Sequence, residues 1–213
     1  MKTLTFTAIM IFLGIIWVSG GVAQEQETAG FHQHDGFFLR MHGGVGSGKI
    51  VEEDILGSDM TFSGMAGVFR FQIGGSVANN LVLFGEIGAF VLSDPDLEWG
   101  TASGKMEGVD LSISDFGAGL SYYFMPSNVY LSGTVTISRD KIEIEELKRS
   151  ASTQSGVGFY FSVGKEWWVS ADWGLGVAGF MYFSQTTDKD ESANKEYTVK
   201  NTVFGLVFSA TYH

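Results

Sequence analysis

Cysteine is absent from all 213 residues, so the chain can have neither a disulfide framework nor a lipid on a mature N-terminal cysteine. Basic residues are scarce. Thirteen Lys and Arg face 24 Asp and Glu, for a formal net charge of -11. Nucleic-acid phosphates require a cationic surface, so no nucleic-acid partner is expected. Long apolar runs are missing after Val18, and no later segment approaches the roughly 20 residues of a membrane helix.

The one apolar run lies at the very start. Lys2 precedes Leu4 to Val18, and Gly21-Val22-Ala23 supplies small residues before Gln24. This pattern reads as a secretory signal peptide over residues 1–23, since the run is too short to span a bilayer. Residues 24–35 show no periodicity and are expected to form a flexible periplasmic tail. Residues 36–213 then form a single domain.

Two stretches organise that domain. In Asn80 to Phe90, Leu81, Leu83, Ile87 and Ala89 share one parity, while Phe84, Glu86 and Gly88 share the other. From Trp168 to Phe183, Val169, Ala171, Trp173, Leu175, Val177, Met181 and Phe183 alternate with Ser170, Asp172, Gly174, Gly176 and Ala178. A period of two means strands with two unlike faces. The same pattern predicts strands near 36–46, 62–74, 111–124, from 129, 152–164 and 203–212, eight in all. Short turns are expected at Ser76 to Asn80, Met125 to Asn128 and Lys165 to Trp167. Long polar loops are expected at 49–61, 93–109, 140–150 and 185–200. The isoleucines Ile142 and Ile144 suggest that the third hairpin extends past the bilayer.

The apolar parity carries no charge over whole strands, the other parity is rich in glycine, and aromatics gather near strand ends. A lipocalin-like barrel in water would turn the apolar face inward. A membrane barrel turns it outward, with short periplasmic turns and long outer loops. The expected fold is therefore all-β: an eight-stranded antiparallel up-and-down transmembrane β-barrel in the outer membrane. In its strand pattern, turn asymmetry and closing strand, the chain resembles the small outer-membrane barrels of the OmpA and OmpX type. That resemblance implies a C-terminal insertion signal read by the barrel assembly machinery. Phe204, Leu206, Phe208, Ala210 and Tyr212 fit its alternation, while His213 extends one residue beyond it. It also implies a setting of outer-membrane lipid and lipopolysaccharide, with a monomeric barrel.

Several stretches have the look of chemical motifs. Gly43 to Lys49 has P-loop spacing, but Ile50 replaces the hydroxyl that holds Mg²⁺. Gly174 to Gly179 has dinucleotide-fingerprint spacing inside a strand, with no helix N-terminus for the pyrophosphate. His32 and His34 with Asp35 lack a fixed third metal ligand. Asp94 to Glu98 begins like a calcium loop, but Trp99 stands where glycine is needed. No catalytic, cofactor-binding or metal-binding residue is assigned.

The strongest constellation is the set of charges on the polar parity: Arg40, Arg70, Glu86, Asp115 and Asp172. His42, Gln72, Tyr130, Tyr160 and Tyr182 can add hydrogen bonds. In a narrow lumen these groups should form a paired network. The expectation is a non-enzymatic barrel with a structural or surface-interaction role, presenting four acidic extracellular loops. The alternative is a narrow passive, porin-like channel for ions or small solutes.

Overall fold

The computed structural model describes residues 34, 36–55, 57–144, 149–190 and 195–213. The expected signal peptide, and the expected tail apart from His34, lie outside the described residues. Eight long strands form the wall: β1 (Phe37–Ile55), β2 (Ser58–Ala78), β3 (Leu81–Ser93), β6 (Val109–Phe124), β7 (Val129–Ile144), β9 (Gln154–Trp168), β10 (Trp173–Asp190) and β11 (Lys195–Tyr212). Three short strands, β4 (Asp96–Trp99), β5 (Ala102–Lys105) and β8 (Arg149–Ser152), lie in the connections.

Each wall strand pairs antiparallel with its neighbours in chain order. β1 pairs with both β2 and β11, so the sheet closes with no open edge in the wall. Closure satisfies the backbone donors and acceptors that hydrocarbon could not. Short turns at 79–80, 125–128 and 169–172 mark one end, and by the rule for such barrels that end is periplasmic. Asn80 and Asn128 take positive φ in two of these turns, a conformation that asparagine tolerates better than most side chains.

Around the middle of the wall the expected faces hold. Phe208 is 73% exposed and its neighbour Val207 is 1% exposed. Exposed Phe69, Ile87, Phe116, Val135, Phe159, Met181 and Leu206 continue the same outward band. In water such a belt would drive aggregation; in a bilayer it is the surface that lipid solvates.

The strands run further than the sequence reading placed them. β1 and β2 remain paired up to Glu52 and Met60, β7 continues to Ile144, and β10 pairs with β11 up to Asp190 and Lys195. Most of the first and last expected loops, 49–61 and 185–200, is therefore wall, and the third begins as wall. Above the membrane band the alternation persists, but the apolar parity changes sides. Ile50, Phe62, Leu111, Ile113, Val199 and Val203 are buried inside, while Lys49, Ser114, Arg139 and Lys200 face out. This is the pattern of a protein in water, and it follows from the change of solvent above the band. The second connection also contains structure: β4 pairs with β2 and β5 with β4, and the Trp99 indole donates to the Ile55 carbonyl at 3.2 Å.

The third short turn needs correction. Lys165 to Trp167 do not turn. β9 continues through them to Trp168, with Glu166 buried and Trp167 outward, and residues 169–172 make the turn instead.

Candidate functional site

The membrane half of the lumen is built from alternate residues of the wall strands, so every second side chain points into a space without bulk water. Arg40 sits between Phe38 and His42 on the inward parity of β1. Its Nε lies 3.1 Å from Glu166 of β9 and 3.3 Å from the Thr211 hydroxyl, and the same guanidinium donates to the Tyr123 hydroxyl. One pleat higher, Arg70 of β2 reaches Glu86 at 2.6 Å and both oxygens of Asp115, at 2.6 and 3.2 Å. Gln72 joins the two tiers. Its amide donates to Glu86 at 2.5 Å, and its oxygen accepts from Arg40 at 3.4 Å.

Tyrosines cover the flat faces of both guanidinium groups. Arg40 Cζ lies 4.0 Å from the Tyr130 ring centroid, and Arg70 Cζ lies 4.0 Å from that of Tyr160. Two glycines leave room for this packing. A Cβ on Gly88 would fall 2.6 Å from the Arg70 guanidinium, and one on Gly164 would fall 2.6 Å from the Tyr130 ring. Charges this deep are tolerable only when paired and fully hydrogen-bonded.

Contacts between strands on opposite sides of the barrel show how full the lumen is. The ring order is β1, β2, β3, β6, β7, β9, β10, β11, so β1 faces β7, β2 faces β9 and β3 faces β10. The Tyr130 hydroxyl of β7 lies 3.3 Å from His42 Nε2 of β1. The stack of Arg70 on Tyr160 joins β2 to β9. The Phe90 and Tyr182 rings join β3 to β10 at 4.7 Å. Side chains thus meet across the axis in three directions, as expected for an eight-stranded interior.

The periplasmic end is closed from below. His34 is buried and stacks on Tyr123 at 3.6 Å. Its Nε2 lies 2.8 Å from Asn128 Oδ1, and its Nδ1 lies 2.9 Å from His213 Nδ1. His213 turns inward and approaches Glu166 at 3.4 Å. Burial, and then the nearby His213, hold the His34 pKa down at about 4. His34 thus departs from the expected flexible tail, because its ring fills the end of the lumen.

At the other end, a cavity of about 100 Å³ opens above the network, lined in part by Ile50, Glu52, Phe62, Leu111, Asp140 and Val199. Asp140 is buried and accepts from Asn201 at 2.8 Å and from the Thr186 hydroxyl. Partial burial, and then the neighbouring Asp188, raise the Glu52 pKa to about 7.

The expected lumen residues can now be placed. Arg40, His42, Arg70, Gln72, Glu86, Asp115, Tyr130, Tyr160 and Tyr182 are all inward and buried. Asp172 is not. It is exposed in the turn after β9, where its carbonyl accepts from the His213 amide. Glu166 holds the place that the sequence reading gave Asp172. The signal for it was present, since Tyr160, Ser162, Gly164 and Glu166 share one parity. Its neighbour Lys165 made the stretch read as a turn. Asp140, Asn201, Tyr123 and the His34–His213 pair were also missed, because their partners lie far away in sequence. Phe204, Leu206 and Phe208 face outward; Ala210 and Tyr212 share their parity and are partly covered. His213 points in, so Tyr212 is the last residue on the outward parity.

No protein-family model and no curated protein matches the chain. Solved structures do. The outer membrane protein OprG from Pseudomonas aeruginosa aligns with a TM-score of 0.50 at 16% identity, over 84% of this chain and 98% of that one. Neisserial surface protein A aligns with a TM-score of 0.49 at 14% identity, over 83% and 96%. The outer membrane protease OmpT from Escherichia coli aligns with a TM-score of 0.43 at 13% identity, over 87% and 99%. At these identities the likeness concerns the fold alone. With its apolar belt, closed wall and turn asymmetry, the chain is a small eight-stranded antiparallel β-barrel of the outer-membrane type.

Proposed function

We propose that this protein is a closed, non-catalytic outer-membrane barrel that acts through the part of its wall held above the membrane. The observation carrying this reading is the contact of side chains from opposite strands in three directions across the lumen. A barrel filled in this way serves as a rigid mount. The wall above the band supplies what is mounted: tall hairpins with a largely apolar interior and an acidic rim that includes Glu52 and Asp188. His42 does not suit a general base. It is 1% exposed, contacts Tyr130, and is walled off from both lipid and solvent.

Single-channel recording of refolded protein in a planar bilayer tests this reading, with heat-modifiable gel migration confirming a folded barrel. A folded, electrically silent barrel is the expected result. Discrete conductance steps whose ion selectivity changes in Glu86→Gln would replace this reading with the narrow-channel one.

A further inference from the structure

The cavity above the charge network joins apolar walls to uncompensated negative charge. Its sides include Ile50 of β1, Phe62 of β2, Leu111 of β6 and Val199 of β11, all buried. Three carboxyl groups line it as well: Glu52 of β1, Asp140 of β7 and Asp188 of β10. Asp140 is 7% exposed. The other two are half-buried and stand higher, Glu52 one inward step above Ile50 and Asp188 one inward step above Thr186. The cation among the lining residues, Lys141, is exposed and already paired with Glu143.

A buried carboxylate is stable when a cation faces it. In the membrane half Arg40 and Arg70 supply that charge to Glu166, Glu86 and Asp115. Asp140 has only neutral donors, the Thr186 hydroxyl and the Asn201 amide at 2.8 Å, and no ion-pair partner among the described residues. Each of its oxygens keeps a free lone pair. Beside it, the amide oxygen of Asn201 is buried without any hydrogen-bond partner. At the mouth, Glu52 and Asp188 hydrogen-bond to each other. Ionised carboxylates only accept, so that pair must hold a proton between them. The cavity thus lacks one positive charge at its inner end and another at its mouth.

We infer that this cavity binds a small primary ammonium ion carrying a short apolar tail, taken up from the external medium. The three N–H groups of the ammonium match the Asp140 carboxylate and the orphaned Asn201 oxygen, and bonds of this kind are charge-assisted. The tail lies against Ile50, Phe62, Leu111 and Val199, in the usual division of a small-molecule site between apolar walls and a few convergent polar groups. Glu52 and Asp188 give the mouth the sign that draws cations in. A dry cavity of about 150 Å³ holds benzene, so one of about 100 Å³ suits a tail of about four carbons. A metal ion would leave the apolar walls uncovered, and no three His, Asp or Glu side chains converge on one point among the described residues. The site lies in the part of the wall that we read as the working part, and binding there is measured whether or not the lumen conducts.

Methyl NMR titration of the full refolded barrel in lipid nanodiscs tests the assignment at Ile50, Leu111 and Val199. The ligands are n-butylammonium, n-butanol and ammonium chloride, the last two removing the charge and the tail in turn. Saturable shifts with n-butylammonium are expected, with binding about tenfold or more tighter than that of either control. Asp140→Asn should weaken n-butylammonium by about tenfold or more, leave n-butanol unaffected, and still migrate as a folded barrel. In the unaltered protein, n-butanol binding as tight as n-butylammonium would reduce the site to an apolar pocket, and ammonium chloride binding as tight would reduce it to an ion site. Either result overturns the proposal without relying on any substitution. So would the absence of shifts at these methyl groups, or undiminished n-butylammonium affinity in Asp140→Asn.

Discussion

The lumen has two halves that solve the burial problem in opposite ways. In the membrane half, Arg40, Arg70, Gln72, Glu86, Asp115 and Glu166 fill the interior and the outside is apolar. In the half above the band, Ile50, Phe62, Leu92, Leu111, Ile113 and Val199 fill the interior and the outside is polar. The strands are the same strands, and their alternation runs from one half into the other, interrupted near the upper end by register shifts, as between Gln185 and Thr187. What changes is the solvent: hydrocarbon below, water above. The upper half is a small conventional core that keeps tall hairpins together where lipid no longer supports them. The lower half has no hydrophobic drive toward its interior, so hydrogen bonding and charge pairing must specify its packing.

The largest test of this contrast is to remove one charge from the lower half. Arg70→Met leaves Glu86 and Asp115 buried without their cation, and should destabilise the barrel by about 3–5 kcal/mol in urea unfolding followed by tryptophan fluorescence. Replacing Arg70, Glu86 and Asp115 together by apolar residues of similar volume should recover most of that loss, since the desolvation cost then disappears as well. If the single variant were as stable as the parent, the lower half would not depend on pairing.

A smaller effect is expected where packing supports the network. Gly88→Ala pushes a methyl group against the Arg70 guanidinium and should cost roughly 1–3 kcal/mol in the same assay. The upper half should be more forgiving. Leu92→Met keeps volume and character, so its cost should stay below about 1.5 kcal/mol. A larger loss there would mean that the upper core is as exacting as the lower network.

The smallest and sharpest effect is one of sign. The His34 pKa is lowered from 6.5 to about 4, so its contribution is fully present above pH 6.5 and is lost as pH falls through about 4. The Glu52 pKa is raised from 4.5 to about 7, so its contribution is fully present below pH 4.5 and is lost as pH rises through about 7. Between those limits the two ends should respond oppositely: amide protection factors, exchange rates corrected for their intrinsic pH dependence, should rise with pH around Asn128 and fall around Val199. Glu52→Gln should flatten only the upper response, and His34→Gln only the lower one. Parallel responses would show that the ends are not separately held.

Much of this was readable before folding. A period of two with one uncharged parity dictates two-faced strands. Eight of them, with short and long connections alternating, leave few arrangements other than a closed up-and-down barrel. Parity alone also sent Arg40, Arg70, Glu86 and Asp115 inward, because the side-chain period of a strand is independent of what the strand meets. Three-dimensional closure decided the rest. The apolar parity switches at the membrane surface, which made Lys49 to Thr61 and Gln185 to Lys200 read as loops although they are largely wall. Alternation cannot say where a strand stops when both its solvent and its apolar face change together. Nor could it choose Glu166 over Asp172, or bring His34 to His213 across nearly the whole chain. Those pairings depend on strand register and tilt, which no single strand carries in its own sequence.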